Sequence, residues 1–486
     1  MEKITRKSGI LMHITSLPND YGWGCFSVSA TNFIDFLKAG GFGVWQVLPF
    51  SECLYENSPY SAVSSFAINP YFLDLTEFLS SDEIFKLGIQ KNLSLFDYKL
   101  KFDNALEVIC EKYRNDYDLK EFEKTSKYWL DSYALFKVLK KYNDFKPWFE
   151  WPDNFKNKNK TALEEFRLKH KQEISDIKLI QFLLDRQWKK IKTYANLNGI
   201  EIFGDIPFYV ELDSADVWDN PKNWMLENGK PKLKAGVPPD YFNSEGQLWG
   251  YPIYNFSGMS KSGYDFWLKR IKRQSEIFDI LRIDHFVAFS KFWAVNANSK
   301  TAKSGKWMQG PGEALLKLIT NKCKIKLVAE DLGIVTSDVM ELKENFGIPG
   351  VKVLQFAFDG VGDNMYQPHN YEKNCVAYLG THDNNTMMGM LNEGDWDKIN
   401  RFKKYLTMPL QEGNDSVIEN SILALYKSSA NLIILTTQDM LHLGAESRMN
   451  VPGQMYGNWT WQLSGELDKN MCGKYYDLAY TYGRIK

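Results

Sequence analysis

Residues 280–290 read Ile-Leu-Arg-Ile-Asp-His-Phe-Val-Ala-Phe-Ser. Side chains alternate along a strand, so Leu281 and Ile283 face one way while Arg282 and Asp284, both charged, face the other. Burying such a pair in an apolar strand is costly unless the two groups bond or their face opens into a polar cleft. The guanidinium favours the ionised form of Asp284, which is the form a carboxylate nucleophile needs. An ordinary ion pair at a strand end fits the same pattern, so the partners of Asp284 decide between the two readings. Asp205 ends one apolar segment, Glu330 follows Leu-Val-Ala at 327–329, and His382 and Asp383 follow a third.

Retaining glycosidases hold two carboxyl groups about 5 to 5.5 Å apart, whereas inverting ones need a wider gap. Neighbouring strands lie about 4.8 Å apart, so adjacent strand ends supply the narrower spacing. Asp284 suits the ionised nucleophile, and Glu330, after an apolar run, suits an acid with a raised pKa. Asp383 suits the stabilisation of substrate hydroxyls and of positive charge at the transition state. Other readings compete. Glu330 and Asp331 could begin and cap a helix. His285 and His382 each neighbour an aspartate, as metal ligands do, but no HExxH or Cys/His spacing accompanies them. A divalent-metal barrel hydrolase is therefore a competing enzyme reading, and no metal ligand set is assigned.

Such residues need a scaffold that gathers strand ends. Eight strand candidates occur: 9–14, 44–48, one ending at Gly204 and Asp205, 280–284, 326–330, 351–356, 376–380 and 432–436. Helical spacing separates most of them, as in Phe33, Phe36 and Leu37 before Gly40, or Leu184, Trp188, Ile191 and Ala195 before the stop at Gly199. Alternating β and α elements imply a parallel sheet, and eight apolar strands imply a closed (β/α)8 barrel with insertions. A doubly wound open sheet is the runner-up, weakened because the first βα turn lacks GxGxxG. The barrel is expected to span residues 1–486 as one catalytic unit. Residues 74–176, rich in Lys, Glu, Phe and Tyr at helical spacing, are expected to form a helical insertion. Residues 235–256 carry Tyr241, Phe242, Trp249, Tyr251 and Tyr254, and should overhang the cleft as sugar-stacking platforms, as a packed lid, or as both.

Composition excludes other classes. Lys and Arg total 59 against 60 Asp and Glu, with no long basic run, so nucleic acid is not an expected partner. The N-terminus enters a strand-like segment without a signal-type apolar stretch, and no apolar run is long enough to span a bilayer, so a soluble cytoplasmic protein is expected. Six scattered cysteines form no CxxC and read as reduced packing residues.

Several runs then resemble one family, the 4-α-glucanotransferases called amylomaltases or disproportionating enzymes, in the α-amylase clan. They are His-Ile-Thr-Ser-Leu-Pro at 13–18, Ser-Pro-Tyr at 58–60, Gly-Asp-Ile-Pro at 204–207, Gly-Val-Pro-Pro-Asp-Tyr-Phe at 236–242 and Arg-Ile-Asp-His-Phe at 282–286. Ala-Glu-Asp-Leu-Gly at 329–333, Gly-Thr-His-Asp-Asn at 380–384, Arg-Met-Asn-Val-Pro-Gly at 448–453 and Gly-Asn-Trp-Thr-Trp at 457–461 complete the series. The resemblance implies Asp284 as nucleophile, Glu330 as acid/base and Asp383 as transition-state stabiliser. It also implies that Tyr60, Asp205, Arg282, His285 and His382 surround the sugar at the cleavage point, with Asp240, Trp249 and Asn458 further along the glucan. Implied substrates are α-1,4-glucans and maltooligosaccharides with glucose as an acceptor, and no metal or organic cofactor is implied. The sequence departs from the family pattern at Val287 and Ala288 (usually Arg-Gly), Ser290 (glutamate), Gln462 (arginine) and 25–27, where Cys-Phe-Ser replaces Asp-Leu-Gly. The expected activity is retaining transfer between glucans. A hydrolase of the same fold and a catalytically degenerate glucan-binding protein are the alternatives.

Overall fold

Eight short apolar segments build the ring that positions everything else. The computed structural model describes residues 3–54, 57–91, 93–239, 244–333, 335–360, 363–454 and 456–485. The barrel strands are β1 (Lys7–Leu11), β2 (Val44–Gln46), β3 (Glu201–Ile206), β4 (Ile280–Ile283), β5 (Lys326–Ala329), β6 (Gly350–Val353), β7 (Cys375–Tyr378) and β8 (Leu432–Thr436). Every ladder is parallel, in the order β5-β4-β3-β2-β1-β8-β7-β6. The first strand sits earlier than its sequence suggests, because Ile14–Ser16 turns into a 3-10 segment. The sixth is shorter than 351–356, because Leu354–Phe356 also forms a 3-10 turn.

Between β5 and β6 the ring closes differently. The Ala329 N–H donates to the Pro349 carbonyl at 2.9 Å. Beside it the buried carboxylate of Asp331 accepts the Val351 N–H at 2.7 Å and meets the Lys343 ammonium at 3.0 Å. Residue 350 must be glycine for this approach, since a Cβ there would lie 2.2 Å from Asp331 Oδ2. Asp331 thus closes the barrel seam instead of capping a helix.

Strand periodicity sorts the side chains. Leu11, Val44, Phe203, Ile280, Val328, Val351, Val376 and Leu432, from all eight strands, pack together in the lumen. Their neighbours Leu281, Ile283, Leu327 and Ala377 pack outward against the helices. The outer layer includes Val28–Ala39 between β1 and β2, Lys171–Leu197 before β3, Asp265–Ile277 before β4, Gly312–Lys322 before β5, and Asn414–Lys427 before β8. Residues 74–176 contain the helices Leu95–Tyr113 and Leu119–Tyr142, both packed on Lys171–Leu197. The segments after β3 and β4 also pair with each other. Leu233–Val237, Gln247–Pro252, Lys291–Asn296 and Gly305–Gln309 make a four-stranded antiparallel sheet. No described helix is long and apolar enough to cross a membrane.

Candidate active site

Charge begins where the apolar lumen ends. Phe203 and Ile280 face inward, so two residues further on Asp205 and Arg282 face inward too, in register with each other. Arg282 Nη1 lies 2.5 Å from Asp205 Oδ2 and 2.9 Å from Asp284 Oδ1, one cation shared by two carboxylates. The Tyr60 hydroxyl donates to the same Asp205 oxygen at 2.9 Å. Val328 pairs with Arg282, so the chains carry Asp284 and Glu330 out of the barrel side by side. The Glu330 N–H donates to the Ile283 carbonyl at 3.1 Å.

Glu330 is held by backbone. Directly after Asp284, His285 adopts a left-handed conformation (φ 50°, ψ 47°), a strained state for a non-glycine residue that buries cost elsewhere in the fold must offset. That turn aims the His285 N–H at Glu330 Oε2, 2.7 Å away, and the Leu332 N–H meets Oε1 at 2.9 Å. The His285 imidazole stands edge-on to Trp249, with ring centroids 4.7 Å apart. Tyr209 stacks with Tyr251 at 6.0 Å and also borders Trp249 and His285, forming an aromatic wall.

Across the mouth, Asp383 follows β7. Its Oδ1 accepts from Asn450 Nδ2 at 2.6 Å, and its Oδ2 lies 3.4 Å from His382 Nε2. The His382 ring is stacked on Tyr60, with centroids 5.3 Å apart and planes 12° from parallel, and Trp459 leans on both. Asn458 uses its amide within its own loop, accepting from the Val451 N–H and donating to the Gln454 carbonyl, both at 2.9 Å. Asp240, Tyr241 and Phe242 lie outside the described residues. The remaining site residues named from sequence line one mouth, while Asn458 borders it as a loop brace.

The electrostatics differ from expectation in one respect. Burial pushes the Asp284 pKa up, Arg282 pulls it back, and the negative charges of Asp205, Glu330 and Asp383 push it further, so that it stands at about 8. The guanidinium is divided between Asp205 and Asp284, which weakens the hold predicted for a private ion pair. Burial also raises Glu330, against Arg282 and its two N–H donors. His285 is pushed down by burial to about 4. His382 is lowered as well, chiefly by burial, so both imidazoles are neutral near pH 7. Among the described residues no group of three or more His, Cys, Asp or Glu side chains is arranged to hold a metal ion.

The departures from the family pattern have local partners. Ser290 donates to Asp338, which also pairs with Lys291 at 3.3 Å. Ala288 is wholly buried, and Val287 is half-buried. Gln462 Nε2 donates to the carbonyls of Leu17 and Gly22, each at 2.9 Å, tying the loop after β1 to the end of the chain. Cys25 is a buried thiol that accepts from Asn19 Nδ2 at 3.4 Å. Sequence reasoning missed Arg448, Asn450 and Trp459 as site residues. Their signal was present in the runs at 448–453 and 457–461, but only the fold brings those runs to Asp383.

A parallel eight-stranded barrel with carboxylates converging at the C-terminal ends of its strands defines the class of (β/α)8 enzymes. Comparison with known proteins narrows this. A family model described as 4-alpha-glucanotransferase matches residues 12–468. The chain is 40% identical over 491 residues to the 4-alpha-glucanotransferase of Clostridium butyricum, covering 98% of this chain and 100% of that one. It is 37% identical to the Thermus thermophilus 4-alpha-glucanotransferase over 499 residues, covering 99% and 100%. The solved structure of amylomaltase from Streptococcus agalactiae in complex with acarbose superposes with a TM-score of 0.94 at 32% identity, covering 99% of this chain and all of that one. The chain belongs to the 4-alpha-glucanotransferase family, and its activity is of the hexosyltransferase type.

Proposed function

We infer that the protein cleaves an α-1,4-glucan, holds the glucosyl segment covalently on Asp284 and passes it to the 4-hydroxyl of another glucan or of glucose. The observation that carries this reading is the convergence of Asp284, Glu330 and Asp383 at one mouth in a chain matching 4-alpha-glucanotransferases over nearly its whole length. Four carboxylates around one guanidinium leave a surplus of negative charge that a bound proton relieves. Burial and mutual repulsion push both carboxyls up, Asp284 to about 8. In the reactive form the proton sits on Glu330, which touches no cation among the described residues, while Asp284 keeps Arg282 at 2.9 Å and attacks as carboxylate. Glu330 protonates the departing glycosidic oxygen and, once the acceptor enters, takes the proton from its hydroxyl. The bond broken is C1–O of the donor, the bond formed is C1–Oδ of Asp284, and the second step reverses the exchange with the new hydroxyl. Asp383 offers negative charge to the oxocarbenium-like transition state.

Transfer over hydrolysis is supported by the aromatic wall of Trp249, Tyr251 and Tyr209, which shields the intermediate from water. The helices within 74–176 are read as an insertion subdomain, and residues 235–256 as a cover on the cleft. Six cysteines without disulfides and the balanced charge support a cytoplasmic enzyme without nucleic-acid or membrane partners. The test is incubation with maltotriose beside Asp284→Asn. Longer maltooligosaccharides plus glucose are expected from the native enzyme, and a loss of at least about 10⁴-fold in the variant. Glucose without longer products would mean hydrolysis.

A further inference from the structure

Asp383 differs from the other two carboxylates in what holds it. It follows β7 on a turn, and 42% of its side chain is open to the cleft. An aspartate this exposed has several rotamers available, and a stabilising charge is useful only in one place. The loop after β8 restricts it through two bonds to Asp383 and two that support them. Asn450 Nδ2 donates to the Asp383 carboxylate at 2.6 Å, and the Asn450 N–H donates to the His382 carbonyl at 3.1 Å. Arg448 donates from Nη2 to the Asp383 carbonyl at 2.6 Å and from Nε to the Asn450 carbonyl at 2.7 Å. Side chain and main chain of the same aspartate are thus gripped from residues 448–450, and Arg448 fixes both the aspartate and the residue that grips it.

We propose that Asn450 and Arg448 form a positioning clamp that sets the carboxylate of Asp383 for the transition state, so that residues 448–450 contribute to turnover without touching the reacting atoms. This rests on the reading of Asp383 as transition-state stabiliser. The amide is suited to the task because it donates without adding charge. A carboxylate at 450 would face Asp383 at the same distance and repel it. The charged and titratable groups around the pair are His382 and Arg448, with Glu393 facing Arg448, and Asp284 and Arg282 deeper in the mouth.

The experiment compares Asn450→Ala, Asn450→Asp, Arg448→Lys and Asp383→Ala in maltotriose disproportionation, with melting curves to identify unfolded variants. A misplacement of about 1 Å costs about 100-fold, so Asn450→Ala is expected to lose about 100-fold in kcat with little change in KM. Arg448→Lys, whose single ammonium lacks the two separated donors of the guanidinium fork, should lose about 10-fold. Asn450→Asp carries the sharper readout. Once protonated, the new carboxyl can donate to Asp383 as the amide does, so its kcat relative to the native enzyme should rise severalfold as pH falls from 8 to 5. The corresponding Asn450→Ala ratio should stay flat. A folded Asn450→Ala with native kcat, or parallel pH profiles for Asn450→Asp and Asn450→Ala, would overturn the clamp. If Asp383→Ala itself keeps native kcat, the underlying reading of Asp383 fails instead.

Discussion

The two sides of the barrel mouth hold their carboxylates by different means. On the β3–β5 side, ladder register sets Asp205 beside Arg282, a single guanidinium bridges to Asp284, and backbone N–H groups grip Glu330. On the β7–β8 side, Asp383 sits on a turn and depends on side chains from a neighbouring loop. Tyr60 and His382, stacked face to face, join the halves, since Tyr60 also bonds Asp205. The proposed nucleophile and acid/base are therefore placed by secondary structure, and the proposed stabilising charge by side-chain hydrogen bonds. Strand-held groups should respond to mutation mainly through charge, and loop-held ones through geometry.

The largest test of this contrast is Glu330→Gln. General acid–base catalysis is worth about 10² to 10⁴-fold, and the amide also turns an N–H₂ toward one of two backbone donors, so kcat should fall about 10³-fold in the maltotriose assay. Next is Asp205→Asn. With Arg282 left to Asp284 alone, the nucleophile ionises more easily, so the acidic limb of kcat/KM should move to lower pH by about one unit. A limb that stays in place would mean that Asp284 is not the group titrating there.

Third is stability. Asp284 and Glu330 both have folded-state pKa values raised above their unfolded ones, and the pair shares one proton, carried on Glu330 in the reactive form. The folded state then keeps a proton the unfolded chain has lost, so stability falls as pH rises above about 4 until the raised pKa is passed. Asp284→Asn removes that penalty. Its melting temperature should exceed the native value by about 2 to 4 °C at pH 8, with the gap closing near pH 4. About 30% of the Asp284 side chain is open to solvent, which keeps the effect small. Smallest is Trp249→Ala. Losing one aromatic platform of about 1 kcal/mol should raise KM for maltotriose about 5-fold and leave melting unchanged.

The strand side was legible in the sequence because its information is local. Alternation puts Arg282 and Asp284 on one face, and apolar runs before Asp205 and Glu330 mark strand ends. The closed ring followed from counting such runs, although β1 and β6 end earlier than their apolar stretches. The loop side was less legible. Asn450 lies 67 positions from Asp383 in sequence, and no periodicity links them. The pairing of Leu233–Val237 with Lys291–Asn296 was hidden for the same reason, since neither segment alone indicates its partner. The shared guanidinium also escaped, because a sequence identifies a cation near Asp284 but not a second claimant.

One further consequence lies at the β5–β6 seam. Seven interfaces of the ring are ladders, while at the eighth the bond from the Ala329 N–H to the Pro349 carbonyl is joined by Asp331, with Lys343 reaching in from the helix Ser337–Asn345. Removing the Asp331 carboxylate would take the acceptor from the Val351 N–H but none from the β4–β5 ladder beneath Asp284 and Glu330. The seam and the spacing of the two carboxylates proposed to make and break the glycosidic bond thus rest on separate bonds of the same ring.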